Sequence, residues 1–224
     1  MSNKFQLVQR VDFIKQACAG KKVLHLGCTN SPYTNESIKH EMLLHHDLKR
    51  VAKQLYGFDY DAEGLEIFKR LGEENIYWAD LENLDAVELD ETFDVIIAGE
   101  MIEHLSNPGL FLRGIKRFMN EDTKLVITTI NAYSGMRFFI YGLRGRGGGS
   151  EPVHPDHVAY YSYRTLNLAI KREKLEVREF AFYDLGPEHR PHNHWVYNFV
   201  NDVSVKFSPQ LSDGVIAVCG LRER

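Results

Sequence analysis

Cysteine is scarce in this 224-residue chain: Cys18, Cys28 and Cys219 are odd in number, widely spaced and form no C-x-x-C pair. A disulfide framework or a thiolate metal centre needs more than this, so neither is expected, and a reducing, cytoplasmic setting fits best. Surplus positive charge is also missing. With 27 Lys+Arg against 31 Asp+Glu, the formal charge is -4, so no global field draws the chain onto nucleic acid or an anionic membrane. Long apolar runs are absent too. Nowhere do about 18 apolar residues follow one another, and the stretch from Met1 to Asp12 has no apolar signal core, so neither a membrane span nor a standard secretion signal is expected. No internal repeat or low-complexity linker divides the chain.

What is present is an ordinary folding composition, 44% hydrophobic and 26% charged, of a length that favours one domain over residues 1–224. Residues 4–19 place Leu7, Val11, Ile14 and Cys18 at steps of three and four, which predicts a helix ended by Gly20. Short apolar runs follow at 23–26, 55–59, 76–80, 93–98 and 124–130, separated by stretches that read as helix. Asn107 and Pro108 supply an N-cap and first-turn proline for one of them. Further helices are expected at 165–175 and 194–203, and further strands at 177–183 and 215–219. Strands alternating with crossovers this long predict an α/β fold, a doubly wound and mostly parallel sheet with helices on both faces. An insertion at about 133–163 breaks the pattern. It holds the run Gly142 to Gly149, with five glycines and two arginines, which predicts a loop or lid.

Ligands of such a sheet gather outside the carboxyl ends of its strands, near the point where strand order reverses. Those positions hold Gly27-Cys28-Thr29, then Asp59-Tyr60, Asp80-Leu81 and Glu100. A dinucleotide fingerprint, G-x-G-x-x-G, is missing: its positions are Gly27, Thr29 and Pro32. Without the second glycine the backbone cannot approach a pyrophosphate closely, which disfavours the alternative of an NAD-dependent oxidoreductase. A nucleoside ligand lacking pyrophosphate needs only the tight turn, backbone N–H groups and an acid for the ribose. S-adenosylmethionine is such a ligand.

The stretches Val-Leu-His-Leu-Gly-Cys-Thr-Asn (23–30), Gly-Phe-Asp-Tyr-Asp (57–61), Trp-Ala-Asp-Leu (78–81), Phe-Asp-Val-Ile-Ile-Ala-Gly-Glu-Met-Ile-Glu-His-Leu (93–105) and Leu-Val-Ile-Thr-Thr-Ile-Asn (125–131) resemble the class I S-adenosylmethionine-dependent methyltransferases. The likeness is to the small-molecule branch related to ubiquinone-biosynthesis enzymes. It implies a Rossmann-like methyltransferase fold of seven strands, the last antiparallel. It also implies that Gly27 lines the methionine moiety, with Cys28 and Thr29 in the same turn. Asp59 would hold the ribose hydroxyls with Tyr60 beside it, Asp80 and Leu81 would meet the adenine, and Glu100 would lie beside the cofactor. His25 stands where the family usually has an acid. Asp59 comes 32 positions after Gly27 rather than about 20, which implies an enlarged first crossover; Asp47 is the weaker alternative for the ribose acid.

Methyl transfer to a hydroxyl profits from a base near the acceptor, and His104 and His157 are the candidates. The alternative for each is an ordinary cap or turn histidine. His189, His192 and His194 lack a matching acid, so no metal is expected. The segment Met136 to Leu143 reads as a lid, with transient lipid contact as its other reading. The expected activity is methylation of a small-molecule acceptor, at oxygen in a sugar, lipid-linked or secondary metabolite; a catalytically inactive S-adenosylmethionine-binding module is the further alternative. No nucleic-acid partner is expected, and the sequence carries no signal for oligomeric state.

Overall fold

The structure is a computed structural model that describes residues 6–144, 156–187 and 190–222. His154, His189 and the Gly145 to Gly149 run with Arg146 lie outside these residues, as do the side chains of Arg144 and His192. Eight strands form one sheet: β1 (Gln6–Gln9), β2 (Lys22–Leu26), β3 (Gln54–Asp59), β4 (Ile76–Trp78), β5 (Phe93–Gly99), β6 (Met119–Ile130), β7 (Leu175–Asp184) and β8 (Gly214–Leu221). Their order is β1-β7-β8-β6-β5-β2-β3-β4. β8 runs antiparallel to both its neighbours and every other pairing is parallel. The chain walks outward from β2 to β4 and then returns to lay β5 on the other side of β2, so the order reverses between β2 and β5.

Burial on both faces explains why these strands read as continuous apolar runs. In β5, Ile96 and Ala98 join one core and Val95 and Ile97 the other; β2 splits in the same way into Leu24 with Leu26 against Val23. The first core is closed by α5 (Pro108–Gly114) and α7 (Tyr163–Arg172), which bury Phe111, Leu112, Leu166 and Ile170. The second is closed by α1 (Arg10–Cys18) and α3 (Leu44–Val51) through Ile14, Cys18 and Leu48. Between β2 and α3 in the chain, the short α2 (Thr34–Lys39) lengthens the first crossover, and α4 (Ala62–Arg70) covers Cys28 and Leu43 with Leu65 and Phe68. All three cysteines are buried and unbridged, and burial pushes the Cys18 and Cys219 thiols up to about 12. They act as small core residues.

Two expectations are corrected. The sheet has eight strands rather than seven, and residues 4–19 are not one helix: Gln6–Gln9 pair in parallel with Ala181–Asp184 of β7. Leu7 fits a helical step, yet α1 begins only at Arg10, and the backbone N–H and C=O groups along the exposed β7 edge offer the preceding residues a better partner than one more helical turn. At α5 the proline stands in the first turn as expected, but Asn107 makes no cap bond. Its amide instead donates to Glu82 (2.9 Å), as does its backbone N–H (3.0 Å).

Phe58 sits edge-on to Phe118 (5.3 Å between centroids) and Tyr77 (5.9 Å), wholly buried in the first core. Replacing it with alanine removes a large buried ring, at a cost of about 3–5 kcal/mol. The Phe58→Ala chain should melt about 6–20 °C below wild type by calorimetry.

Candidate functional site

The first turn of the site follows β2 and is hydrogen-bonded to the end of β3. Gly27 adopts the left-handed region (φ 69°), which costs glycine nothing. That turn aims the N–H groups of Gly27 and Cys28 at the Phe58 carbonyl (2.9 and 3.3 Å). Thr29 then gives both its backbone N–H and its hydroxyl to Asp59 Oδ2, each at 2.8 Å, while the N–H of Asp61 donates to Oδ1 at 3.0 Å. Asp59 is only 8% exposed. Three donors compensate its desolvation, and a carboxylate with about four acceptor positions keeps one on Oδ1 for another hydroxyl.

At the switch point the polar groups differ from those of an acid-bearing turn. His25 is buried and stacks on His45 of α3 at 5.4 Å, with their Nδ1 atoms 3.2 Å apart, so one ring donates and the other accepts. Burial first, and then Arg10, lowers His25 to about 3; burial first, and then His25, lowers His45 to about 2. Both rings are neutral at physiological pH. Glu100, in the left-handed region (φ 51°), accepts from the Tyr183 hydroxyl at 2.6 Å and pairs with Arg10 at 3.5 Å. Burial, then Glu100, raises the Tyr183 hydroxyl well above its usual range. Beyond Arg10 opens a cavity of about 260 Å³ lined by Gln9, Asp12, Glu41, Met42, Leu44 and Asp47 among others. Asp47 thus belongs to α3 and this cavity, bonded to Arg50.

On the β3/β4 side, the exposed Tyr60 and Trp78 rings meet at 5.2 Å, and Trp78 Nε1 donates to the Tyr60 carbonyl at 2.9 Å. Asp80 takes the Glu82 N–H at 2.9 Å, closing the turn that buries Leu81. Register puts Asp59 opposite Trp78 and Leu26 opposite both Phe58 and Ala98. Gly27, Asp59, Asp80 and Glu100 therefore follow strand ends of one rim.

Glu100 and His104 do not share a helical face. Glu100 turns to Tyr183, whereas a single 3₁₀ turn over Ile102–His104 carries His104 to His157, with ring centroids 4.7 Å apart. Between them lies Glu103, fully buried. Its Oε2 accepts from the Thr129 hydroxyl at 2.9 Å, its carbonyl accepts the N–H groups of Val158 and Ala159, and its Oε1 has no protein partner. Burial first, and then the Glu100 charge, pushes Glu103 up to about 7. One donor atom from each of Glu103, His104 and His157 lies within 4.8 Å of the others. Two imidazoles and a carboxyl so placed can exchange protons, and they also match the donor types of a divalent-cation site, which the sequence did not suggest. Beside them α6 (Gly135–Arg137) is fixed by Arg137, which grips Asp213 with two bonds (2.9 and 3.2 Å). His194 caps α8 (Trp195–Phe207) through the Val196 N–H.

A methyltransferase-domain family model matches residues 7–179. The chain belongs to this family, the class I S-adenosylmethionine-dependent methyltransferases. Among curated relatives, the ubiquinone biosynthesis O-methyltransferase of Actinobacillus pleuropneumoniae serotype 5b (strain L20) is 30% identical over 134 residues, 54% of this chain and 52% of that one. That of Rhodopseudomonas palustris (strain BisA53) is 28% identical over 115 residues, 50% and 41% of the two chains. The chain thus spans about half the length of the curated relatives it matches. Among solved structures, a methyltransferase from Archaeoglobus fulgidus superposes with a TM-score of 0.58 at 14% identity, covering 94% of each chain. One from Mesorhizobium loti gives 0.56 at 12% identity, covering 94% and 95%. These likenesses concern the fold.

Arg10, His45, Glu103, Thr129 and Tyr183 were not candidates in the sequence. Only Glu103 carried a local signal, its place next to His104; the others reach the rim from elements far away in the chain.

Two outcomes follow. Asp59→Ala leaves two buried donors and one half-buried donor unpaired and should cost about 3 kcal/mol of stability without any ligand, read as a melt about 6–12 °C lower. For the histidine pair, the folded values lie below the unfolded value of about 6.5, so the unfolded chain takes up protons first. Their contribution is complete above about pH 6.5 and is lost as pH falls toward 3, by up to about 2.7 kcal/mol per pH unit for two sites. Urea titrations from pH 7 to 4 should show a steeper loss in wild type than in His45→Phe; equal slopes would contradict the neutral pair.

Proposed function

We propose that this chain transfers a methyl group from S-adenosylmethionine to a hydroxyl oxygen of a small-molecule acceptor, a sugar, lipid-linked or secondary metabolite, in the cytoplasm. The residues present fit the donor. Gly27 offers an uncovered turn, since a Cβ there would meet only Met101 at 3.8 Å. Asp59 Oδ1 retains an acceptor position for a ribose hydroxyl, the exposed Tyr60 and Trp78 rings next to the Asp80-Leu81 turn offer flat surface to adenine, and Arg10 with Glu100 offers charges of both signs to the amino-acid end. Bound S-adenosylmethionine supplies a methyl on a positively charged sulfur, which an acceptor oxygen displaces in line, the carbon–sulfur bond breaking as the carbon–oxygen bond forms.

The observation that carries the acceptor reading is the cluster of Glu103, His104 and His157, in which two imidazoles lie within reach of a fully buried carboxyl whose Oε1 has no protein partner. A neutral imidazole of His157 or His104 takes the acceptor's hydroxyl proton. Glu103, poised near neutrality, receives a share of that positive charge through the cluster, and Thr129 holds its other oxygen in place. Alignment is worth about 7–11 kcal/mol in reactions of this type, and a base of this kind adds about 10²–10⁴-fold. Oxygen as the acceptor atom has further support in the O-methyltransferase relatives.

The test uses S-adenosylmethionine with an isotopically labelled methyl, incubated with hydroxylated metabolites resolved by mass spectrometry. Wild type should label at least one oxygen, and His157→Ala should lower kcat about 10²–10⁴-fold with unchanged affinity for S-adenosylhomocysteine. Labelling at nitrogen or carbon only, or an unaffected His157→Ala chain, would contradict the proposal. Binding without transfer to any acceptor would point to a non-catalytic module.

A further inference from the structure

Helix α8 is oriented with its large apolar residues outward. It belongs to the segment joining β7 to β8, residues 185–213, where an antiparallel pair needs only a 2–5-residue turn. Trp195, Phe199, Val203 and Phe207 recur every fourth residue and are 70%, 62%, 52% and 87% exposed. Its one fully buried side chain is polar: Asn201, whose amide donates to Asp184 at 2.8 Å. Asn198 likewise reaches inward to the Arg190 carbonyl at 2.9 Å. A helix packed for its own stability would turn the aromatic ridge toward the core and the amides toward water. The inverted arrangement costs the isolated chain burial that a partner would restore.

We propose that α8 is the contact helix of a two-fold dimer of this chain. Charge on the face selects the partner. The ridge is flanked by Asp202 and Lys206, one of each sign, and Arg190 is held by Asp184 and Asp202. A surface so balanced lacks the basic surplus by which interfacial helices hold anionic lipid, and the whole chain is negative. It is, by contrast, self-complementary, as an isologous interface requires. Shape agrees with charge. Residues at steps of four form one ridge, and two identical ridges of this kind interdigitate at about −50°, the commonest helix crossing. Size agrees as well. Side chains of this type bury about 150–250 Å² each, so the exposed ridge supplies on the order of 500 Å². That is the greater part of the roughly 800 Å² per partner of a standard interface, and the polar flanks supply a rim.

Sedimentation equilibrium of the full chain at 1–100 µM (about two decades of concentration) tests the proposal. Wild type should approach twice its 25.9 kDa monomer mass. Phe199→Glu combined with Phe207→Glu should hold at the monomer mass, with unchanged circular dichroism and S-adenosylhomocysteine affinity, because neither ring is in the core. Val203→Cys gives an independent readout: with the three native thiols buried, mild oxidation should yield a covalent dimer. A wild-type chain monomeric throughout, a double variant that still dimerises, or a Val203→Cys chain that does not cross-link overturns the proposal. So does a monomer that pelts with phosphatidylglycerol vesicles through the same residues, which would assign the face to lipid.

Discussion

The constraint on which the rest depends is the binding of the Thr29 N–H and hydroxyl to one oxygen of Asp59. It joins the turn after β2 to the last residue of β3, and with the paired N–H groups of Gly27 and Cys28 on the Phe58 carbonyl it gives the rim a fixed floor. Charge-assisted bonds inside a protein are stronger than neutral ones, and here they hold the position of a carboxylate that keeps one acceptor site. An acid that merely projected from the strand end into water would need to be ordered by each ligand. This one is ordered beforehand.

The same economy recurs across the rim. Neutral His25 and His45 fill the position where an acid would otherwise add a second negative charge beside Glu100, whose charge is already answered by Arg10 and Tyr183. Farther along, Glu103 is sequestered between the sheet and the segment bearing His157, and that segment is attached to it by two backbone bonds from Val158 and Ala159. The two parts of the rim are thus built differently: Gly27 to Asp59 from strand-end turns, Glu103 as a buried acid reached by residues of the insertion.

Much of this was legible in the sequence because it is local. The strands are buried on both faces, so Val23 to Leu26 and Phe93 to Ala98 announce themselves as apolar runs, and the turn residues follow directly after them. The edge strand β1 was not legible: four residues with a helical step had no sign of the β7 edge they join, which lies far along the chain. Nor was the His25–His45 stack, since His45 sits within a helical pattern whose packing against β2 is a tertiary fact. The identity of Glu103 was in view, but its burial and its meeting with His157 come from the path of the insertion. Distance along the chain, rather than weakness of the interaction, separates what was read from what was missed.

The central claim is that the amino-acid, ribose and adenine portions of one ligand lie in turn along the carboxyl rim from the β2/β5 crevice to β4. A crystal structure of the chain grown with S-adenosylhomocysteine tests it most directly. The account predicts a ribose hydroxyl within hydrogen-bond reach of Asp59 Oδ1, adenine against Tyr60 and Leu81, and the amino-acid end beside Gly27. Density for the ligand elsewhere, or a ribose bonded to another acid while Asp59 faces only Thr29 and Asp61, would contradict it.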